Sequence, residues 1–310
     1  MTDDATVDDV VSELTREEKL SLVHGAADPE GTATGYLPGV ERLGVPELRM
    51  ADGPLGVRVM GESSTAFPAP LALAASFDPE LGREVGAAIA RETKVRGQDV
   101  LLAPGVNIVR TPHNGRNFEY YSEDLTLASA FAAAVVEGVE GEDVISTPKH
   151  YVANNQETNR VNVSVEVDER TLREVYLRPF RAAVEAGAGS VMTGYNRVNG
   201  THMSDHEFLL SDVLKGEWGF EGYVVSDWYG TESTVGAANA GLDVEMPGVP
   251  AEEMGGDGDE EVDEEAIAEF IESGGLPDLT EAGLFGEPLS EAIDAGEVPE
   301  SRLDDMVRRV

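Results

Sequence analysis

The chain contains no cysteine, which removes disulfides, thiol nucleophiles and thiolate metal sites. Positive charge is scarce: 22 Lys and Arg stand against 60 Asp and Glu, a formal net charge of −38. Such a surface repels nucleic-acid backbones and anionic membranes, so neither is expected as a partner. There is no run of about 20 apolar residues, hence no candidate for a membrane-spanning helix. The opening residues, MTDDATVDDVVSELTREEKL, are acidic where a secretory leader would be basic and then apolar, so a cytoplasmic location is expected. Neither HxH nor HExxH occurs, no GxSxG elbow is present, and no GxGxxG follows the first clear strand. No metal or nucleotide cofactor is therefore expected.

What is present begins with the acidity itself. The basic residues are 18 Arg and only 4 Lys. A carboxylate-rich, lysine-poor surface suits a halophilic setting, where concentrated salt shortens the Debye length and screens self-repulsion. The hydrophobic fraction of 41% is still enough to build a core. Short β-type runs fall at 47–50, 99–109, 144–147, 190–193, 222–225 and 242–245. Helical periodicity falls between and after them, at 79–97, 122–138, 168–187, 205–216, 231–240 and 287–296. Asp78-Pro79 and Asp168 are start signals, and Gly187 is a stop signal. Repeated β-then-α order predicts parallel strands covered by helices, a (β/α)8-like TIM barrel over residues 1–310, with a doubly wound sheet as second choice. Residues 251–265, AEEMGGDGDEEVDEE, have almost nothing to bury and read as an exposed acidic loop inside that domain.

Five successive β-runs deliver polar or aromatic residues at their C-terminal ends. These are Asp52; then His113, Arg116 and Glu119; then Lys149 and His150; then Tyr195 and Asn196; then Asp227 and Trp228. In a parallel barrel those ends share one face, where active sites sit. Without metal spacing or a serine elbow, the set is the vocabulary of sugar recognition. Charged groups bind hydroxyls, an aromatic face covers the ring, and a carboxylate attacks the anomeric carbon.

Seven stretches in order carry a resemblance: LTREEKLSLVHG, RMADGPLGVR, AFPAPLALAASFDPELG, LLAPGVNIVRTPHNGRNFEYYSED, STPKHYVANNQETNR, SVMTGYNRVNG and GFEGYVVSDW. Residues 14 to about 248 thereby resemble the N-terminal barrel of glycoside hydrolase family three, the β-glucosidase-type enzymes. The resemblance implies a retaining hydrolase of terminal β-D-glucosidic bonds with Asp227 as nucleophile. It implies that Asp52 takes two sugar hydroxyls, that Arg116, Lys149 and His150 bind others, and that Met192 and Tyr195 wall the pocket. Trp228 would pack on the sugar or its leaving group, and Arg58 would stand at the rim. A β-glucoside or oligosaccharide is the implied partner.

The same resemblance implies a general acid/base Glu on a following α/β sandwich domain, and residues 1–310 are expected to hold the barrel without that domain. The barrel-only branch of the family carries an Asp-His pair in a Gly-rich loop after its KH motif. Here Lys149-His150 is followed by YVANNQETNR, which has neither that His nor the glycines. The expectation is a hydrolase whose acid comes from a separate chain or an absent domain, or else a weak or inactive sugar-binding remnant. A third reading, an aldolase with Lys149 as Schiff-base lysine, would need an apolar pocket, and the His and Arg neighbours argue against it.

Overall fold

The computed structural model describes residues 4–251, 272–275, 277–280 and 282–310, with the side chains of 4–6 set aside. Apart from Ala251, the acidic segment expected as a loop at 251–265 lies outside the described residues. Strands β1 (Gly35–Leu37), β2 (Leu48–Asp52), β3 (Val100–Leu102) and β4 (Ile145–Ser146) form one sheet in that order. Next come β5 (Ser164–Val165), β6 (Ser190–Met192), β7 (Arg197–Val198), β8 (Thr201–His202) and β9 (Tyr223–Val225). β6 pairs with β9 in parallel, while β5, β7 and β8 make a small separate sheet. The β2–β3 and β3–β4 pairs are parallel; β1 runs antiparallel to β2.

Backbone hydrogen bonds join these pieces into a circuit. Beyond β4, the amide of Tyr151 donates to Met192 O at 2.7 Å. Beyond β9, Val244 N donates to Val224 O at 3.0 Å and Glu245 N to Val23 O at 2.9 Å. Ala26 N then donates to Tyr36 O at 3.0 Å, which returns the path to β1. Side chains along these strands alternate in the period of two that a pleated strand imposes. Met50, Val100, Leu102, Met192, Tyr223, Val225, Val244 and Met246 share one buried cluster. The intervening Leu101, Val191 and Val224 pack in a second, with Phe131, Val135 and Phe180 from the helices.

The helices begin where their caps predict. Pro79–Val95 opens on Asp78, whose side chain accepts from Glu80 N, and Leu125–Glu140 opens on Asp124, which accepts from Leu127 N. These two helices touch at glycines: a Cβ on Gly86 would lie 2.7 Å from Val135 O, and one on Gly138 would lie 2.2 Å from Arg83 O. Close backbone approach therefore requires glycine at both places.

Several boundaries differ from expectation. The run 99–109 is strand only to Leu102, because Pro104 has no N–H for the ladder and the chain turns away toward Lys149. The expected helix 168–187 is interrupted by a wide turn in which Leu177 N donates to Leu172 O, five residues back. It resumes as Arg178–Glu185. The expected helix 205–216 is Phe208–Glu217, with the same wide spacing from Trp218 N to Val213 O.

Candidate active site

β2 ends on Asp52. The chain beyond β4 carries Lys149 and His150, that beyond β6 carries Tyr195, and that beyond β9 carries Asp227. Lys149 Nζ donates to Asp52 Oδ1 at 2.5 Å, and Arg58 Nη2 lies 3.3 Å from Asp52 Oδ2. Burial pushes the Asp52 carboxyl up, but the charges of Lys149, Arg58 and Arg116 override it and hold the carboxyl below its ordinary range. The Arg58 side chain is 68% exposed, so it stands at the rim, whereas Lys149 is buried.

His150 is clamped through its backbone: Asn107 Oδ1 accepts from His150 N at 2.7 Å, and Asn107 Nδ2 donates to His150 O at 2.9 Å. Its imidazole Nε2 lies 3.5 Å from Asp227 Oδ2. Burial first, then Arg116, Lys149 and Arg160, push the His150 pKa well down, so the ring is neutral. It acts as a hydrogen-bonding group rather than a fourth cation.

Asp227 is 8% exposed. Burial pushes its carboxyl up from the ordinary value, and Arg116, Arg160 and Lys149 oppose that shift. Its Oδ1 accepts from Trp228 N at 2.9 Å, while Oδ2 is buried without a hydrogen-bond partner. His150 Nδ1, both side-chain atoms of Asn154 and Thr193 Oγ1 are also buried and unpartnered. Buried polar atoms are normally satisfied, so unpartnered atoms on Asp227 and on the adjacent His150 mark a place that a polar ligand could complete.

Tyr195 Oη donates to Trp228 O at 2.9 Å, and burial together with the Asp227 charge pushes its phenol well up, so it keeps its proton. Trp228 Nε1 donates to Thr34 O at 3.2 Å, and its ring lies against Gly35, where a Cβ would stand 2.8 Å from Cζ2. Arg116 pairs through Nε with buried Glu119. Met192 sits in the interior apolar cluster with Met50, Leu102 and Val225. Asn155 donates to Ile108 O at 2.7 Å and so braces a loop.

Arg160 is a residue of this cluster that sequence reasoning passed over. Its guanidinium covers the Tyr195 ring at 4.6 Å from the centroid. Nη1 pairs with Glu157 at 2.9 Å and Nε donates to Gly275 O at 2.8 Å. The signal was at hand, since Arg160 closes the STPKHYVANNQETNR stretch, but it lies eleven positions after Lys149 and belongs to no strand end.

The comparisons with known proteins fit this geometry. Residues 38–310 match the family model "Glycosyl hydrolase family 3 N terminal domain". A beta-glucosidase of Rhizobium radiobacter is 49% identical over 248 residues, covering 78% of this chain and 30% of that protein. The solved structure of DesR, a beta-glucosidase from Streptomyces venezuelae in complex with D-glucose, aligns with a TM-score of 0.86 at 41% identity, over 100% of this chain and 37% of that one. Beta-glucosidase 3B from Thermotoga neapolitana in complex with glucose aligns at 0.85 and 39% identity, over 98% of this chain and 42% of its own. The chain thus spans roughly a third of the length of the curated relatives it matches, 30%, 29% and 33% for three of them.

Proposed function

Because the chain belongs to the family of glycosyl hydrolase family 3 N-terminal domains, we propose that it is the sugar-binding, nucleophile-bearing part of a retaining β-glucosidase. The hydrogen-bonded circuit of strands supports reading residues 1–310 as one (β/α)8-like TIM barrel whose C-terminal strand ends carry the site. The observation that carries the function is Asp227 Oδ2, a buried carboxylate oxygen with no hydrogen-bond partner, lying in the field of Arg116, Arg160 and Lys149. An oxygen so placed is open to attack, and the cations oppose the rise that burial imposes on its pKa without pairing with it.

In the proposed reaction Asp227 Oδ2 bonds to the anomeric carbon as the glycosidic C–O bond breaks, and a general acid protonates the departing oxygen. Water then attacks the same carbon, loses a proton to the conjugate base, and releases Asp227. Asp52, with Lys149 and His150, would hold the hydroxyls of the sugar, with Arg116 and Arg160 beside the nucleophile. Tyr195 and Trp228 would wall the ring, Met192 would back it from the interior, and Arg58 would close the rim. A retaining pair of carboxyl groups stands about 5–5.5 Å apart. We assign the acid to a residue beyond these, on a second domain such as the longer relatives have room for, or on a separate chain. The acidic, lysine-poor surface supports a halophilic setting, so assays belong in molar salt.

The second reading, a sugar-binding form without turnover, draws on one observation: the site's other described carboxylates, Asp52, Glu119 and Glu157, are each paired with a cation, Lys149, Arg116 and Arg160. A 2-deoxy-2-fluoro-β-glucoside with a good leaving group separates the two. The expected result is one added sugar mass on a peptide containing Asp227. Labelling elsewhere, on Lys149 included, would overturn Asp227 as the nucleophile. Glucose binding with no labelling and no aryl-glucoside cleavage would establish the binding-only form.

A further inference from the structure

A cavity of about 140 Å3 is lined by Arg173, Leu177, Arg178, Arg181 and Trp218, none of which belongs to the site around Asp227. We propose that it is a binding pocket for a small aromatic carboxylate, whose charge meets Arg178 and Arg181 while its ring lies against Leu177 and Trp218. The inference stands apart from the reading of Asp227 and does not depend on it.

The backbone is the first argument. Leu177 and Trp218 each end a wide turn, their amides donating five positions back to Leu172 O at 2.9 Å and Val213 O at 3.0 Å. Such turns are rare, because they break the regular helical ladder, and they recur at functional places. Here two of them, from segments distant in sequence, end on one cavity.

Charge is the second. With 60 acidic side chains against 22 basic ones, a cation on this surface readily finds a carboxylate. Arg178 is exposed, yet its side chain makes no ion pair or hydrogen bond among the described residues. Arg181 gives Nε to Glu185 at 2.8 Å, which leaves its two Nη groups for a ligand. The two stand three positions apart at the start of the helix Arg178–Glu185 and are neighbours on its surface. Arg173 has no donor edge to spare: Nη1 and Nη2 hold Glu217 at 2.6 and 2.8 Å, and Nε holds Glu169 at 2.8 Å. It is a fixed wall, and the open guanidinium forks of its neighbours match a planar carboxylate.

The third argument is the apolar floor. Leu177 is buried and Trp218 half-buried. The Trp218 ring stands edge-on to Tyr151, with centroids 6.2 Å apart, and Arg173 lies over the Phe208 ring at 5.5 Å. These contacts hold the floor in place before any ligand arrives. Apolar surface beneath unpaired cations suits a flat ring with one negative edge. An apolar cavity of about 150 Å3 takes a benzene ring, so this one has room for a single ring and not for a long chain.

The test is a titration of the full chain with sodium benzoate in molar salt, followed by the fluorescence of Trp218, one of two tryptophans. The expected result is a saturable change with a dissociation constant on the order of 1 mM. Arg178→Gln alters an exposed side chain without partners, so the fold is kept, and binding should weaken about tenfold, as it should in Arg181→Gln. Acetate and inorganic phosphate lack the ring and benzyl alcohol lacks the charge; each should bind at least about tenfold more weakly than benzoate. Equal binding of acetate or phosphate overturns the aromatic class of ligand, and equal binding of benzyl alcohol overturns the role of the arginines. Absence of saturation overturns the pocket. So does a response that survives Arg178→Gln unchanged, since benzoate would then be held elsewhere, among the cations near Trp228.

Discussion

Two buried aspartates depend on β9 and live opposite lives. Asp243 is fully buried, and each of its oxygens is engaged: Oδ1 accepts from Lys215 Nζ and Arg302 Nη2, both at 2.7 Å, and Oδ2 accepts from Val224 N at 2.8 Å. The cluster pins the helix Glu300–Arg309 to the strands, because Arg302 also donates to Ala238 O and Leu242 O. Asp227, two residues after β9, has comparable burial but leaves Oδ2 unpaired among cations that stand back from it. A buried ion pair is worth keeping for stability only when every lone pair is used, whereas a nucleophile must be left with one to spend. The same residue type is thus a lock in one place and a tool in the other.

The sharpest break in that comparison is Asp227→Asn. We expect cleavage of a dinitrophenyl β-glucoside to fall on the order of 10⁴-fold, with labelling by the fluoro sugar abolished. Unfolding stability at neutral pH should not fall, because burial raises the Asp227 pKa and the ionised group burdens the folded state. A loss of stability would place Asp227 with Asp243 as a structural group.

Asp243→Ala should do the reverse. Removing the shared partner leaves buried Lys215 without its ion pair and takes from Arg302 one of two, the other being with Asp305; we expect a loss of about 3–5 kcal/mol by urea unfolding in molar salt. Retention of wild-type stability would mean that the network contributes nothing.

Arg160→Met tests whether the open carboxylate is tuned from a distance. Burial raises the Asp227 pKa and Arg160 is among the charges that lower it, so its removal should raise it further. The nucleophile works deprotonated; the acid limb of the pH–rate profile should therefore move to higher pH. An unmoved limb would reduce Arg160 to a support for Tyr195.

The smallest effect concerns Lys215, whose ammonium burial pushes down from 10.5 to about 8. A lysine with a lowered folded pKa binds its proton less well in the folded state. Below about pH 8 its charge is a burden on folding, and the burden lifts as pH rises toward 10.5. Lys215→Met should remove that rise, so that the wild-type chain gains stability relative to the variant across this window. Parallel pH curves for the two proteins would contradict the assignment.

Much of this molecule was legible in one dimension. Period-two apolar runs and helical periodicity follow from local sterics, so β2, β6, β9 and the helices at Pro79 and Leu125 lie close to where pattern put them, while β3 keeps only the start of its expected run. Asp52, Lys149, His150 and Asp227 were legible for the same reason, because each follows a strand and parallel strands bring their ends together. Features that depend on non-local contacts were not legible. Arg160 reaches Tyr195 from a loop, Asn107 clamps His150 across 43 positions, and Gly35 clears room for Trp228. The wide turns at Leu172 and Val213 leave no periodic trace that separates them from ordinary helix.

By itself, then, the sequence determined the alternation of strands and helices, the acidity, and which residue types would stand at the strand ends. Only the tertiary structure decided which buried carboxylate would be satisfied and which left open. That depends on where Lys215, Arg302, Arg160 and His150 come to rest in space, and burial, which sets what each charge does, is a property of the packed chain and not of any segment.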